Sequence, residues 1–347
     1  MFFTRILLVL ILVCATLFSS IPNAQAAFIG TKQEIELGAK VAADLEKKYG
    51  LLNDPEMQER LSQIGQTIAA VSDRQDLKYS FKILNNNEIN ALAVPGGYIY
   101  VFKGLIDYMP TEEELAGVLA HEVTHIAKKH SVNQMEKQMW TTALTMIGAA
   151  ISGSSNIAAM APYLNEAIMA GYSRNDERQA DSVGFSYMLR AKRNPYGMYV
   201  TMRKLNDIPN KPNYGLFSSH PDTEDRLNKA KSQAESIGIK PKVLADKNIY
   251  RVTDGRYTLP VGATVGSNKS EYRAYLLAGG LHNIVQQNKN IDPYRFISLS
   301  SGERVDIYYD DIYLYSIYPQ DVTAQQGSAN TAANDYIELL RTWAVQR

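Results

Sequence analysis

The sequence has almost no cysteine: Cys14 is the single one in 347 residues. One cysteine cannot close a disulfide within the chain, and Cys14 lies in an N-terminal segment that is expected to be removed. Structural disulfides and thiolate metal sites are therefore excluded for the mature protein. Any metal ion that it binds must be held by nitrogen and oxygen atoms.

An excess of charge of one sign is also missing, since 36 basic residues balance 36 acidic ones. Removal of Arg5 with the N-terminal segment leaves 35 basic residues against 36 acidic ones. Nucleic-acid binding generally requires a basic surplus, so we expect no nucleic-acid partner.

Long apolar runs and internal repeats are missing after residue 26. The longest run, "TTALTMIGAAIS" at 141–152, is followed at once by "GSSN" and falls short of the roughly 20 apolar residues of a membrane-spanning helix. The sequence therefore predicts no internal membrane span.

The first 26 residues have the pattern of a secretory signal peptide. Arg5 precedes an apolar run from Ile6 to Phe18, and the segment ends in the small-x-small pattern of "NAQA" at Ala26. This pattern predicts removal of residues 1–26 and secretion across the inner membrane, into the periplasm or cell envelope.

The mature chain of about 320 residues exceeds the usual size of a single core, so two domains are expected. From Thr31 to Ile237 the pattern is mostly helical, except for a strand-like passage at 78–104 that is interrupted by Pro95-Gly96-Gly97. The texture changes at 238–248, and we place the boundary there, between a domain at 27–240 and a second one at 249–347.

The second predicted domain contains strand-like segments followed by a C-terminal helical segment. Three strands are predicted from "RFISLS", "RVDIYYD" and "IYLYSIYP", the last two joined by a hairpin at Asp310-Asp311, and a helix from "ANDYIELLRTWAV". The predicted fold class is α+β, with a mainly helical first domain that carries a small β-sheet and a small α+β C-terminal domain of unknown role.

The stretch "LAHEVTHIAKKH" at 119–130 lies on a predicted helix. Thr111 and Glu114 form a capping-box pattern that starts the helix at 111. His121 and His125 are one turn apart, so both imidazoles can reach one ion, whereas Glu122 falls in the apolar stripe. Core histidines are common, but a buried carboxylate is costly, and the H-E-x-x-H spacing favours a catalytic zinc site.

A catalytic zinc normally has three protein ligands, so a further ligand is expected from another element. In "YSRNDERQADSVGFSYM" at 172–188, Glu177, Asp181, Gly184 and Met188 share one helix face. Glu177 can bind the metal, Asp181 can accept the free N–H of a histidine ligand, and Gly184 allows close helix packing. Taken alone, the segment favours a charged surface helix over a metal site.

Two further features are weaker. In "LFSSHPDTEDRL" at 216–227, Asp222-Thr223 are expected to start a helix, and His220 or Arg226 could stabilise an oxyanion near a metal. His130 lies about 140° round a continuous helix from His125, so we expect it on the surface, away from the metal.

Four segments in a fixed order resemble the gluzincin family of CaaX-type prenyl proteases, and most of all its secreted bacterial branch. They are "NALAVPGGYIYVFKGL", "ELAGVLAHEVTHIAKKH", "SRNDERQADSVG" and "SSHPDTEDRL". The resemblance covers about residues 31–235. It implies a zincin-type protease domain, and it does not extend to 249–347. The multiple spans of the family's integral-membrane branch are missing, so CaaX processing is not implied.

The resemblance also implies residue roles. His121, His125 and Glu177 are implied as zinc ligands, Glu122 as general base, and Asp181 as the partner of a histidine ligand. His220 and Arg226 are implied to approach the active site. The substrate is implied to lie along an edge strand that contains five residues: Asn90, Ala91, Leu92, Ala93 and Val94.

The sequence therefore predicts a secreted metalloendopeptidase with one Zn²⁺ per chain that acts on unfolded or misassembled polypeptides in envelope quality control. Peripheral association with the membrane or with envelope proteins is compatible with it, and the oligomeric state is not indicated. The alternative is a chaperone-like or peptide-binding envelope protein whose zinc site is structural or blocked by His220. Glycan binding by the tyrosines of "IYYDDIYLYSIYP" is a further possibility, although such alternation is more typical of sheet packing.

Overall fold

The computed structural model describes residues 29–145, 168, 171–208, 220 and 224–347, and for 138–145 only the backbone. The predicted signal peptide and the predicted helix start at Asp222-Thr223 lie outside these residues. Thr31–Arg347 form one compact unit, and the boundary near 240–248 stays a prediction. Among the described residues, no helix has both the length and the apolar character needed to cross a bilayer.

The described residues form ten helices and three small sheets, which agrees with the predicted α+β class. The helices are α1 (Thr31–Tyr49), α2 (Pro55–Ala69), α3 (Lys103–Tyr108), α4 (Glu112–Ala127), α5 (His130–Thr145), α6 (Arg174–Arg190), α7 (Gly197–Asn206), α8 (Glu224–Ser236), α9 (Ser270–Gln287) and α10 (Ala329–Val345). The strands are β1 (Ser80–Leu84), β2 (Ala91–Val94), β3 (Tyr98–Phe102), β4 (Lys242–Asp246), β5 (Ile249–Thr253), β6 (Thr258–Pro260), β7 (Phe296–Ser301), β8 (Arg304–Tyr309) and β9 (Ile312–Ile317).

The first sheet confirms the strands predicted on both sides of the Pro95-Gly96-Gly97 turn. Its order is β1-β3-β2, with β1 parallel and β2 antiparallel to β3, so β2 lies at an edge. Gly97 has φ +100°, and a Cβ there would come within 2.5 Å of the Lys78 carbonyl oxygen. The turn therefore requires glycine at this position.

The C-terminal part confirms the three predicted strands, the hairpin and the last helix. Strands β8 and β9 are antiparallel, and Asp310 between them has φ +51°. Tyr309, Tyr313 and Tyr315 are buried, which favours sheet packing over sugar stacking for these side chains. The antiparallel sheet β4-β5-β6 and helix α9 were not among the predicted elements.

Helix α4 has the predicted start and lies in the middle of the first part of the fold. The Thr111 hydroxyl accepts a hydrogen bond from the Glu114 amide at 3.3 Å, and the Glu114 carboxylate accepts one from the Thr111 amide at 2.9 Å. The other Glu114 oxygen accepts a hydrogen bond from the ammonium of the buried Lys204 in α7, also at 2.9 Å. Both ends of this carboxylate are thereby satisfied, which fixes the start of α4 against α7.

Small residues allow two helices to approach α4 closely. A Cβ on Gly117 would lie 3.0 Å from the Cα of Met198 in α7, and a Cβ on Gly184 in α6 would lie 3.0 Å from the Ala120 carbonyl oxygen. The packing role predicted for Gly184 is therefore confirmed. This close contact brings α6 within side-chain reach of His121 and His125.

Candidate metal centre

Helix α4 presents His121 and His125 to the same point. Their Nε2 atoms are 3.0 Å apart, as expected for residues that are one helical turn apart and point the same way. The side chain of His125 is fully buried, whereas that of His121 keeps 13% of its surface exposed. The pair therefore lies at the bottom of a site that remains open on the side of His121.

Helix α6 adds a carboxylate to this pair. Glu177 Oε1 lies 3.4 Å from His125 Nε2, and Glu177 Oε2 lies 3.5 Å from His121 Nε2. Burial raises the pKa of Glu177, but His220 and His121 outweigh burial and hold this pKa well below its usual value. Glu177 is therefore an ionised carboxylate in a buried site, where a cation would stabilise it.

His220 completes a group of four. Its Nδ1 lies 2.9 Å from Glu177 Oε1 and 3.1 Å from His121 Nε2. One ligand atom from each of His121, His125, Glu177 and His220 can be chosen so that all four lie within 4.8 Å of one another. Three imidazoles and one carboxylate form a donor set that suits a divalent transition metal such as zinc.

Asp181 and Arg226 surround His121 and Glu177. Asp181 Oδ1 lies 3.1 Å from His121 Nδ1, and both Asp181 oxygens accept hydrogen bonds from the Arg226 guanidinium at 2.7 and 2.8 Å. Arg226 Nη1 also lies 2.7 Å from Glu177 Oε2. Burial raises the pKa of Asp181, but Arg226 and His121 outweigh burial and hold this pKa below its usual value, so Asp181 is a charged acceptor for the Nδ1–H of His121.

The hydrogen bond from His121 to Asp181 determines where the hydrogen of His121 lies, and the resulting arrangement favours a positive charge in the site. With its hydrogen on Nδ1 toward Asp181, a neutral His121 presents a lone pair at Nε2, and this lone pair faces His125 Nε2 and the Glu177 carboxylate. Burial lowers the pKa of His121, but Glu177 and Asp181 dominate and raise it to about 10. The pocket therefore attracts a cation, and the described residues fit a bound metal ion.

Glu122 lies beside the group of four without belonging to it. Its carboxylate is buried, Oε1 lies 3.6 Å from His220 Nε2, and no described residue donates a hydrogen bond to Oε2. Burial raises the pKa of Glu122 above the ordinary glutamate value, although His220 and His121 oppose this rise. A buried carboxylate that has one unpartnered oxygen and a raised pKa next to a cation site suits a general base.

The expectation that His130 lies on the surface is wrong. Helix α4 ends at Ala127, Lys129 has φ +57°, and α5 begins at His130, so the chain turns back instead of continuing as one helix. His130 is buried, and its Nδ1 lies 2.8 Å from Nδ1 of His125. The segment "AKKHS" contains no glycine or proline that could have indicated this turn.

A small cavity opens beside His121 and Glu122 and is partly open to solvent. Its wall includes four apolar side chains from α4 and α7: Val118, Met198, Met202 and Leu205. An apolar side chain of a bound molecule would find complementary surface here, next to the Glu122 carboxylate.

The predicted substrate strand lies close to the same carboxylate. Asn90 and all four residues of β2 are buried. The Ala93 backbone hydrogen bond contributes to lowering the pKa of Glu122, and the Tyr172 hydroxyl lies 3.5 Å from the Ala93 carbonyl oxygen. β2 is thus an edge strand of its sheet next to the candidate site, and its role in substrate binding stays a prediction.

Comparison with known proteins covers the part of the chain that holds this site. A model described as peptidase family M48 matches residues 55–234, which include all the candidate residues. The beta-barrel assembly-enhancing protease of Escherichia coli is 27% identical over 238 residues, covering 65% of this chain and 48% of that protein. The same-named protein of Yersinia pestis is 27% identical over 248 residues, covering 67% and 50%.

A mitochondrial relative is also similar. The mitochondrial metalloendopeptidase OMA1 of Schizosaccharomyces pombe is 28% identical over 184 residues, covering 52% of this chain and 54% of that protein. The chain therefore spans about half the length of these curated relatives. Their names concern whole proteins, of which this chain matches a part.

Proposed function

Since the chain belongs to peptidase family M48, we propose that it is a zinc-dependent metalloendopeptidase of the bacterial cell envelope. The observation that carries this proposal is the convergence of His121, His125, Glu177 and His220, whose ligand atoms lie within 4.8 Å of one another. The buried carboxylate of Glu122, whose Oε2 has no hydrogen-bond partner among the described residues, lies next to this group.

In this proposal His121, His125 and Glu177 hold one zinc ion per chain. When bound, zinc supplies a Lewis acid that polarises a peptide carbonyl and lowers the pKa of a water molecule toward about 7. Asp181 holds the hydrogen of His121 on Nδ1, and Arg226 holds Asp181 and Glu177 in place through its three short contacts.

Glu122 supplies the acid–base chemistry. Its Oε2 has no hydrogen-bond donor among the described residues, so it can accept the proton of the attacking water and then pass it to the leaving amine. Its raised pKa brings the carboxyl closer to the operating pH than an ordinary glutamate, which favours transfer in both directions.

His220 has two candidate roles, and the distances favour one of them. Its Nδ1 lies among the ligand atoms, close to His121 Nε2 and Glu177 Oε1, so His220 can occupy a fourth metal position at rest. We therefore propose that His220 restrains the resting enzyme. The other role, stabilisation of an oxyanion with Arg226, requires the imidazole to leave this position.

The substrate is proposed to be an unfolded or misassembled polypeptide. An extended chain can pair with the edge of β2, from Asn90 to Val94, and an apolar side chain next to the cleaved bond can enter the cavity lined by Val118 and Met202. Both features are found more easily in unfolded segments than on folded surfaces, where apolar side chains are mostly buried.

The envelope location rests on the secretory pattern of residues 1–26. The names of the bacterial relatives, which refer to β-barrel assembly, support a role in the quality control of envelope proteins. Peripheral association with the membrane or with envelope proteins belongs to the same proposal.

A second candidate is a peptide-binding protein with a permanently blocked zinc site. The position of His220 among the ligand atoms favours it. Incubation of the purified protein with an unfolded substrate such as casein separates the two candidates. Zinc-dependent cleavage supports the protease, and binding without cleavage over a range of unfolded substrates supports the binding protein.

Glu177→Gln tests the third ligand. We expect the variant to bind zinc at least roughly tenfold more weakly, since even changes to outer partners of metal ligands cost about that much. Glutamine keeps the shape of the side chain but loses the negative charge. The measurement is zinc content per folded chain after dialysis, with the exposed Glu235→Gln in α8 as control. Equal zinc retention in both variants would remove Glu177 from the site.

A further inference from the structure

The ring of His125 is held on two sides by residues to which the proposed reaction gives no role. Tyr172 stacks on it with ring centroids 3.6 Å apart and an angle of 19° between the planes. On the edge opposite Nε2, His130 Nδ1 lies 2.8 Å from His125 Nδ1. The neighbouring Ser131 hydroxyl lies 2.8 Å from the Tyr172 hydroxyl, so the start of α5 contacts both sides of this arrangement.

The hydrogen bonds around His130 have one consistent direction. His130 Nε2 lies 2.8 Å from the Gln179 amide oxygen, which can only accept, so His130 carries its hydrogen on Nε2 and a lone pair on Nδ1. Asp176 Oδ1, at 3.8 Å from the same Nε2, favours this placement further. His130 Nδ1 must then accept the hydrogen of His125 Nδ1, which leaves the lone pair of His125 on Nε2.

The two proposed histidine ligands thus donate their Nδ1–H hydrogen bonds to acceptors of different chemistry. His121 donates to a carboxylate, Asp181, which is itself neutralised by Arg226. His125 donates to an uncharged imidazole in a fully buried place, where a further carboxylate would carry a high desolvation cost. A second imidazole fixes the tautomer of the ligand without adding a negative charge to the site.

We propose that His130 is a positioning residue of the metal centre, which fixes the tautomer and the ring orientation of His125, with Gln179 as its own anchor at the surface. This inference rests on the proposed role of His125 as a metal ligand. It gives a function to a histidine that belongs neither to the H-E-x-x-H spacing nor to the group of four.

Two substitutions at His130 separate the acceptor from the volume of the ring. In His130→Asn, the amide oxygen is the same number of bonds from the backbone as Nδ1 and can accept the same hydrogen bond. His130→Phe keeps a ring of similar size but has no acceptor. We expect His130→Phe to bind zinc roughly 10- to 100-fold more weakly, and His130→Asn to stay close to the wild-type affinity.

The affinity is measured by competition with a chromophoric zinc chelator, and the absorption spectrum of the cobalt(II)-substituted protein reports the geometry of the site. We expect an altered cobalt spectrum in His130→Phe and a wild-type spectrum in His130→Asn. Unchanged affinity in His130→Phe would overturn the proposal, and so would equal weakening in both variants, because that result assigns the effect to packing.

Gln179 provides a second pair of variants that does not disturb the core, since this side chain is exposed. Gln179→Leu removes the acceptor for His130 Nε2, whereas Gln179→Glu keeps one. We expect weaker zinc binding only in Gln179→Leu, by a smaller factor than in His130→Phe. Equal zinc affinities in Gln179→Leu and Gln179→Glu would overturn the proposed role of Gln179 as the anchor of His130. Failure of the wild-type protein to bind zinc would instead contradict the proposed function itself.

Discussion

Glu122→Gln is expected to lower kcat for an unfolded substrate by roughly 10²- to 10⁴-fold, the range that a general base contributes. The amide has nearly the same shape as the carboxylate, but it cannot accept the proton of the attacking water. Because Glu122 does not belong to the group of four ligands, zinc content and thermal stability should remain those of the wild type. The measurement is kcat on casein together with zinc content and the unfolding temperature.

The control for this prediction is Glu112→Gln on the same helix. Glu112 lies in the first turn of α4, partly exposed, and contacts Arg60 and Arg193 instead of the metal centre. Its replacement should leave kcat essentially unchanged. Wild-type activity in Glu122→Gln at full zinc content would show that another group moves the proton.

His220→Ala is expected to raise basal proteolysis. If the imidazole occupies the fourth metal position at rest, only the minor population without this contact is active. If about 1% of the molecules have the open site, removal of the His220 imidazole would raise the basal rate of proteolysis by on the order of 100-fold. The rate is measured on a fluorogenic unfolded substrate at matched zinc content.

The double variant Glu122→Gln/His220→Ala shows whether a higher basal rate of proteolysis comes from this metal centre. If it does, the increase should disappear in the double variant. The opposite result is informative as well. A kcat about 10²-fold lower in His220→Ala, with unchanged zinc affinity, would contradict restraint and assign His220 to stabilisation of an oxyanion. Wild-type rates in both His220→Ala and Arg226→Ala would make this part of the site structural.

Local patterns explain why much of the first part of the fold was predictable. Helix α4 is an example, since its capping box of Thr111 and Glu114 and its apolar stripe are visible within a few residues of sequence. Both are found in the structure. The same holds for the Pro95-Gly96-Gly97 turn, because only glycine fits the conformation at Gly97.

Contacts between distant segments could not be predicted in this way. Residues 172–188 alone fitted a charged surface helix, and only the close approach of Gly184 to Ala120 brings Glu177 beside His121 and His125. The family resemblance, rather than periodicity, indicated this grouping.

His130 shows how a single undetected turn changes the interpretation of a residue. A lysine, Lys129, adopts the left-handed conformation that glycine usually provides at the end of a helix, so the usual end signal was missing. The assumption of a continuous helix then placed His130 on the surface, when in fact it contacts His125. Sheet β4-β5-β6 was missed because its strands are only three to five residues long and largely exposed, which gives a weak apolar pattern.

Anomalous diffraction at the zinc absorption edge, from crystals of the purified protein, tests the metal centre most directly. The proposed function predicts one strong peak per chain, within bonding distance of His121 Nε2, His125 Nε2 and the Glu177 carboxylate, which in zinc sites is about 2.0–2.2 Å. The absence of a peak in zinc-replete crystals, or a peak located away from these three residues, would contradict the assignment of this site.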